Sequence, residues 1–320
     1  MKNKSRLIFI PQYPTKMRYT EWWIDLFEQQ LSSYFSEVIT LGYSYLYKNG
    51  KYEINEPDNI GSFNSLKNSI EFETYQIQEY IDLEIKNDDI ILLADISFPG
   101  LFGNVLYHKR PKKCFAICHG TSKNNYDIFE KDRYSKWQVE SGYAELFNKI
   151  IVASDYHRRK LKWLDTIVIP FPDPPMIYES NEKEKTIDII SVSRKCKQKI
   201  DDIIEEQIED RYGPIYRNTY DNWGDYFDAL SKAKILLITS KEETYGYQII
   251  DCLKYGNGCI PIAPNQFSYP ELLTEDYLYN RFDIMELYRK IDLILDNKFE
   301  HKLNFKSNDC FFKKLFEIID

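Results

Sequence analysis

Two stretches of this 320-residue chain hold residues whose types and spacing could do chemistry. In the first, the apolar run Ile189-Ile190-Ser191-Val192-Ser193 ends at Arg194, and Lys199 follows five residues later. Two cations at the end of a strand can hold an anionic group. The second runs from Ile235 to Pro264, ILLITSKEETYGYQIIDCLKYGNGCIPIAP. An apolar run ends at Ser240, a polar loop holds Glu242 and Glu243, Gly246 opens a helix, and Asp251 lies eight residues after Glu243. A helix N-terminus offers unpaired N–H groups and the positive end of a dipole to a diphosphate. Glycine at its start lets the backbone approach closely. Carboxylates before the helix and two turns along it can accept hydrogen bonds from sugar and ribose hydroxyls.

These groups need strands and helices to position them. Arg6–Ile10, Glu37–Leu41, Asp89–Ala94, Cys114–Cys118, Ile150–Ala153 and Thr166–Ile169 read as buried strands, being short apolar runs closed by turn residues. Helical spacing separates them at Glu21–Phe35 and Ser65–Ile85. Turn signals stand at Asn49-Gly50 and Pro57-Asp58-Asn59. Pro170–Pro175 holds four prolines in six residues, which no helix or central strand tolerates. The alternation then restarts, with strands at Asp188–Val192, Lys234–Thr239 and Cys259–Ala263 and helices between and after them. Strands alternating with helices imply mostly parallel sheets. The expectation is an α/β chain of two doubly wound units: 1–170, a linker over 171–185, and 186–320 with C-terminal helices.

Composition narrows the class. Hydrophobic residues make up 43% and charged residues 29%, enough for a packed core and too apolar for wholesale disorder. The net charge of −8 argues against coating nucleic acid by bulk charge. It is unevenly spread: residues 1–165 balance at 22 basic and 22 acidic, whereas 96–165 alone hold 13 basic and 7 acidic. Arg158 and Arg159 belong to that basic stretch. The six cysteines form no C-x-x-C pair, so free thiols in a reduced, cytoplasmic setting are expected. No stretch reaches the length of a membrane span. G-x-G-x-x-G, Walker and G-x-S-x-G patterns are absent, and so is Asp-x-Asp, the usual holder of a metal-bound diphosphate.

The second half resembles the retaining glycosyltransferases of the GT-B fold. Their donor site carries Glu, seven residues, Glu, with Phe-Gly after the first acid; here Glu243, seven residues and Asp251 stand there, with Tyr245-Gly246 in the Phe-Gly place. Their second domain opens on a strand followed by Gly-Arg and then Lys; here Ser193-Arg194 and Lys199 match. Cys114–Gly120 is similar to their strand ending in His-Gly, which nominates His119 near the reacting sugar. Their glycine-rich first loop is missing, and Pro11-Gln12-Tyr13-Pro14-Thr15-Lys16-Met17-Arg18 takes its place. The resemblance is close over about 190–275 and architectural elsewhere. It implies two Rossmann-like domains with a cleft between them. It also implies sugar transfer with retention from a nucleoside diphosphate sugar, commonly UDP-linked, with no metal or other cofactor. Glu243 and His119 would serve the reacting sugar, and Arg194, Lys199, Tyr245, Gly246 and Asp251 would hold the donor.

The acceptor side is expected at Lys16, Arg18, Arg158 and Arg159. One reading of it is a 5-hydroxymethylpyrimidine base in DNA, as for phage-encoded transferases. Basic residues would meet the phosphates, and Tyr13, Tyr19, Trp22, Trp23, Phe98 and Phe102 the base. A saccharide or lipid-linked glycan is the rival acceptor. A degenerate module that binds a nucleotide or sugar without turnover is the non-enzymatic alternative.

Overall fold

The computed structural model describes residues 3–48, 51–52, 63–96, 101–126, 133–175, 183–303 and 310–320. Phe98, the two turn signals near 49–59 and part of the proline-led linker lie outside them. The first unit runs β1 (Asn3–Ile10), α1 (Tyr19–Tyr34), β2 (Phe35–Thr40), α2 (Tyr43–Leu46), β3 (Tyr47–Lys48), β4 (Lys51–Tyr52), α3 (Phe63–Asp82) and β5 (Ile90–Leu93). It continues with α4 (Phe102–His108), β6 (Lys113–Cys118), α5 (Arg133–Ala144), β7 (Lys149–Val152), α6 (Asp155–Lys160) and β8 (Thr166–Val168). The second unit holds β9 (Ile187–Ile190), α7 (Asp202–Tyr212), α8 (Trp223–Lys232), β10 (Ala233–Leu237) and α9 (Tyr247–Tyr255). After it come β11 (Ile260–Pro264), β12 (Leu278–Tyr279), α10 (Ile284–Leu295) and finally α11 (Phe311–Ile319).

Six strands form the first sheet in the order β2-β1-β5-β6-β7-β8, every pair parallel. Alternate residues serve opposite faces, as the pleat requires. Leu7, Phe9, Ile90 and Leu92 pack with α1, whereas Ile8, Ile10, Ile91 and Leu93 pack with the helices on the other side. Both faces are covered, which is why the strands read as unbroken apolar runs. The second sheet has the order β12-β11-β10-β9, also parallel, and a bridge from Ile190 to Tyr216 extends it beyond β9. Strand order therefore reverses between β1 and β5 in one sheet and between β9 and β10 in the other. Ligands of such sheets bind beyond the carboxyl ends of the strands at those reversals.

One element departs from the expected division. Helix α11 packs on the first unit: Phe311, Leu315 and Ile319 are buried with Leu7, Phe27 and Phe35. Lys113 Nζ donates to the Ile319 carbonyl at 3.1 Å. The reason is the α1 side of the first sheet, where Phe27 and Phe35 need a cover that α1 alone does not supply. All six cysteines are free, four of them buried. No helix among the described residues is long and apolar enough to cross a membrane.

Candidate active site

The reversal point of the second sheet, together with the segment after β1 and the carboxyl end of β6, faces a cavity of about 630 Å³ between the units. The second unit supplies Ser193, Arg194 and Lys199 from the segment after β9, and Glu243 to Gly246 from the loop after β10. Helix α9 starts at the cavity wall. Gly246, its N-cap, sits at φ 104°, and a side chain there would come within 3.2 Å of Leu272 and 3.4 Å of Tyr269. Glycine alone suits both the left-handed backbone and the tight packing. Tyr247, Gln248 and Asp251 of α9 line the same space. Nine of the residues singled out from sequence thus share one cavity: Lys16, Arg18, His119, Arg194, Lys199, Glu243, Tyr245, Gly246 and Asp251.

Glu243 is held rigidly. Lys199 Nζ donates to its Oε2 at 2.7 Å, and the N–H groups of Thr244 and Tyr245 donate to Oε1 at 3.0 and 3.4 Å. Lys199 lies just before α7, and its side chain reaches across to the loop after β10. Asp251 is buried and accepts from Tyr226 OH at 2.9 Å. Burial pushes its carboxyl up to about 7, against the pull of that hydrogen bond. Tyr245 turns its hydroxyl away from the cavity to donate to the Phe171 carbonyl at 3.0 Å, fastening the loop to the interunit segment.

The first unit contributes a cation. Lys16, Met17 and Arg18 come from the segment that replaces a glycine-rich loop. Met17 adopts φ 57°, a left-handed backbone unusual for a side chain of that size, and Glu21 Oε2 accepts from its N–H at 2.6 Å. The same oxygen accepts from Trp223 Nε1 at 3.0 Å, so this turn is tied to the second unit. The Arg18 guanidinium is drawn down to about 9, first by burial and then by the positive charge of Arg194. Among the described residues, neither Arg18 nor Arg194 has an acidic partner. Two cations held together this way, beside the start of α9, leave room for an anion.

His119 stands at the carboxyl end of β6, stacked on Tyr19 with ring centroids 5.0 Å apart. Tyr19 stacks in turn on Tyr247 at 5.1 Å. His119 Nε2 lies 2.9 Å from the Ala94 carbonyl, which can only accept, so Nε2 carries the proton and Nδ1 does not. Burial lowers the imidazole to about 3. It is neutral across the physiological range and contributes a wall and an acceptor, not a proton.

Arg158 and Arg159 do not reach the cavity. Both are exposed on α6, and Arg158 pairs with Asp155 one turn back at 2.6 Å. Other cations of the basic stretch are bound within the fold. Lys109 donates to the Leu83 carbonyl, Arg110 to that of Leu146 at 3.0 Å, and Lys160 to Glu242 at 2.6 Å. Among the described residues the basic stretch lends no Lys or Arg to the cavity wall, because charge counted along the sequence is spread over different edges of the unit. Of the aromatics proposed to meet a base, Tyr19 and Trp22 line the cavity, whereas Trp23 and Phe102 are core residues.

A small recess of about 20 Å³ opens at the reversal point of the first sheet, lined by Gln12, Glu73, Asp95 and neighbours. Among the described residues, Gln12 Oε1 and Glu73 Oε2 are buried and have no partner. Gln12 Nε2 donates to Asp95 Oδ2 at 3.1 Å, and burial raises the Glu73 carboxyl to about 7. Sequence reading missed this recess and the Tyr19–His119–Tyr247 stack. Their members are far apart in sequence and share no spacing.

No protein-family model matches the chain. Among solved structures it is similar to sucrose-phosphate synthase from Thermosynechococcus elongatus. That match has a TM-score of 0.61 and 12% identity and covers 92% of this chain and 90% of that one. It is similar also to an alpha,alpha-trehalose-phosphate synthase (UDP-forming) from Burkholderia vietnamiensis, at TM-score 0.58 and 10% identity over 98% and 96%. TarM matches at TM-score 0.53 and 16% identity over 77% of this chain and 58% of its own. With two parallel-sheet units facing one cleft, and neighbours of this architecture across its whole length, the chain has the GT-B fold.

Proposed function

We propose that the protein is a glycosyltransferase that moves a sugar from a UDP-linked donor to a hydroxyl of a saccharide-class acceptor, with retention and without a metal. The observation that carries this reading is the Arg18–Arg194 pair, two cations facing one cavity, neither with an acidic partner among the described residues. A diphosphate set between these guanidiniums, Lys199 and the start of α9 would relieve their repulsion, and more so as its charge grows on leaving. A cavity of about 630 Å³ falls in the size range of small-molecule and cofactor sites. Tyr220, Trp223 and Tyr226 line the end nearest Asp251, where a base and ribose would lie. Asp251 would accept from ribose hydroxyls, and Glu243 would orient the sugar toward His119. Four positive groups would supply the charge that a divalent ion supplies elsewhere, so turnover is expected to survive a chelator. The UDP-forming neighbour supports the choice of nucleotide.

For the acceptor, the recess at Gln12, Glu73 and Asp95 favours a ligand that brings hydrogen-bond donors. Among the described residues Gln12 Oε1 and Glu73 Oε2 are unpartnered there and Asp95 adds a second carboxyl, a lining that suits a hydroxyl and not a phosphate, in a space of about 20 Å³ that admits one such group and not a whole sugar. That supports a neutral hydroxylated acceptor over a DNA backbone. The test is a matrix of UDP- and GDP-linked sugars against neutral sugars, sugar phosphates and 5-hydroxymethylcytosine DNA, with products read by mass. Transfer from a UDP-sugar to a neutral sugar in the presence of EDTA is the expected result. Absence of UDP binding by calorimetry would overturn the reading, and glucosylated DNA would overturn its acceptor half.

A further inference from the structure

Glu242, next in sequence to Glu243, has a side chain that is fully buried and points away from the cavity. Everything that holds it belongs to the other unit. Oε1 accepts from Asn124 Nδ2 at 3.1 Å and Tyr156 OH at 2.8 Å; Oε2 accepts from Asn125 N–H at 3.3 Å and Lys160 Nζ at 2.6 Å. The neighbouring Thr244 is tied in the same direction. Its hydroxyl donates to the His119 carbonyl at 2.8 Å, and its carbonyl accepts from Ser154 Oγ at 2.6 Å. Ser154 also caps α6, whose first N–H groups, on Asp155 and Tyr156, donate to Glu271 of the second unit at 2.7 Å. The segment 242–244 is thus a tongue of the second unit seated in a socket of the first.

A buried carboxylate is tolerated only with its full set of donors. All four donors lie across the interface, so the arrangement exists only when the units stand in this register. Lys199, which grips Glu243, also reaches toward the Glu242 carbonyl at 3.5 Å. We infer that Glu242 is a positioning residue: seated in the Asn124–Tyr156–Lys160 socket, it fixes the loop that carries Glu243 and sets the register of the two walls of the cleft. It touches no substrate, because its carboxylate faces the socket and not the cavity. This rests on the cavity being the transferase site proposed above.

The experiment compares Glu242→Gln, Glu242→Asp, Lys160→Met and Tyr156→Phe with wild type in three measurements. These are kcat and KM for transfer, UDP affinity by calorimetry, and radius of gyration by small-angle scattering. Glu242→Gln is expected to lower kcat about 100-fold, the scale of a misplaced reacting group, while UDP affinity stays within about threefold. Its radius of gyration should rise, and Glu242→Asp should recover part of both effects. Lys160→Met should act in the same direction, and the two losses should be non-additive in the double variant. If Glu242→Gln does not fold, Tyr156→Phe removes one donor at the socket edge and should still lower kcat about 5- to 10-fold. The inference is overturned if the folded variants keep wild-type kcat and dimensions, or if lost kcat is matched by lost UDP affinity. Wild-type protein that fails to bind UDP would sink the transferase reading instead, and the scattering result would still decide the socket.

Discussion

The two walls of the cleft are built by different means. On the second-unit wall, Glu243, Gly246 and Asp251 come from one strand–loop–helix passage, and Arg194 and Lys199 from another. Local spacing sets each of them. The first-unit wall has no such passage. Arg18 is delivered by a strained turn at Met17 that Glu21 and Trp223 hold in place, and His119 is oriented by stacking and by the Ala94 carbonyl. A wall made of local passages tolerates change elsewhere in the chain, except at the Glu243 loop, which Glu242 seats in the first unit. A wall assembled from contacts that cross the interface depends on the whole fold, so the two should fail differently when perturbed.

The largest effect should come from the local wall. Glu243→Gln keeps the shape and the Lys199 contact but removes the charge, and kcat should fall by about 100-fold or more with UDP affinity little changed. Equal losses in both quantities would move Glu243 from the sugar to the nucleotide. Next come Arg194→Ala and Lys199→Ala, each expected to weaken UDP binding by about 10- to 100-fold, the worth of a charged hydrogen bond. Calorimetry at two salt concentrations would check this, and affinity near wild type would remove them from the diphosphate.

Arg18→Met sharpens the comparison, because its two effects have opposite sign. It should weaken UDP binding by about 10-fold, yet raise the melting temperature of the ligand-free protein by about 2–4 °C by removing a buried cation that Arg194 repels. Destabilisation instead would mean that Arg18 has a structural task in the empty protein. Arg158→Ala, outside the cavity, serves as the control in both measurements.

The smallest effect on donor binding concerns Asp251. Its folded value is raised from 3.8 to about 7, so the folded protein keeps a proton that the unfolded chain releases. The stability this lends is complete below about pH 4 and is lost as pH rises through 7. Asp251→Asn should therefore melt with wild type in acid and increasingly above it as pH rises from about 4 to 7, with a constant offset beyond. Melting curves across that range decide it, and an offset that does not change between acid and neutral pH would show that ionisation of Asp251 is not the cause. UDP affinity of the wild type should climb over the same interval, as the carboxylate becomes a better acceptor for ribose hydroxyls.

This contrast also explains what could be read from the chain. The strands were legible because both faces of each sheet are covered, leaving short apolar runs with turn residues at their ends. Arg194, Lys199, Glu243, Gly246 and Asp251 were legible because each sits at a set distance from such a run. Glu242 was seen only as a polar loop residue, since its partners Asn124, Tyr156 and Lys160 lie some 80–120 positions away. The basic stretch misled for the complementary reason. Net charge over 96–165 counts residues along a line, whereas Lys109, Arg110 and Lys160 are each taken up by a separate partner. The place of α11 was hidden as well: an amphipathic helix shows that it has an apolar face, not which sheet will receive it.

That helix has a consequence for how the molecule is made. The first unit's core closes only when residues 311–319 meet residues 7–35, across a chain separation that encloses the entire second unit. Loop closure grows costlier with length, but far less so once the intervening residues have condensed into a compact body. The second unit has a core built almost wholly of its own residues and is free to fold by itself, while the first is left with Phe27 and Phe35 uncovered until the return crossing is made. Folding should therefore run in two kinetic phases, the slower one reporting closure of the first unit. A fragment ending at the linker would carry an open apolar face and be prone to self-association, so the two units are separate in architecture but not in folding.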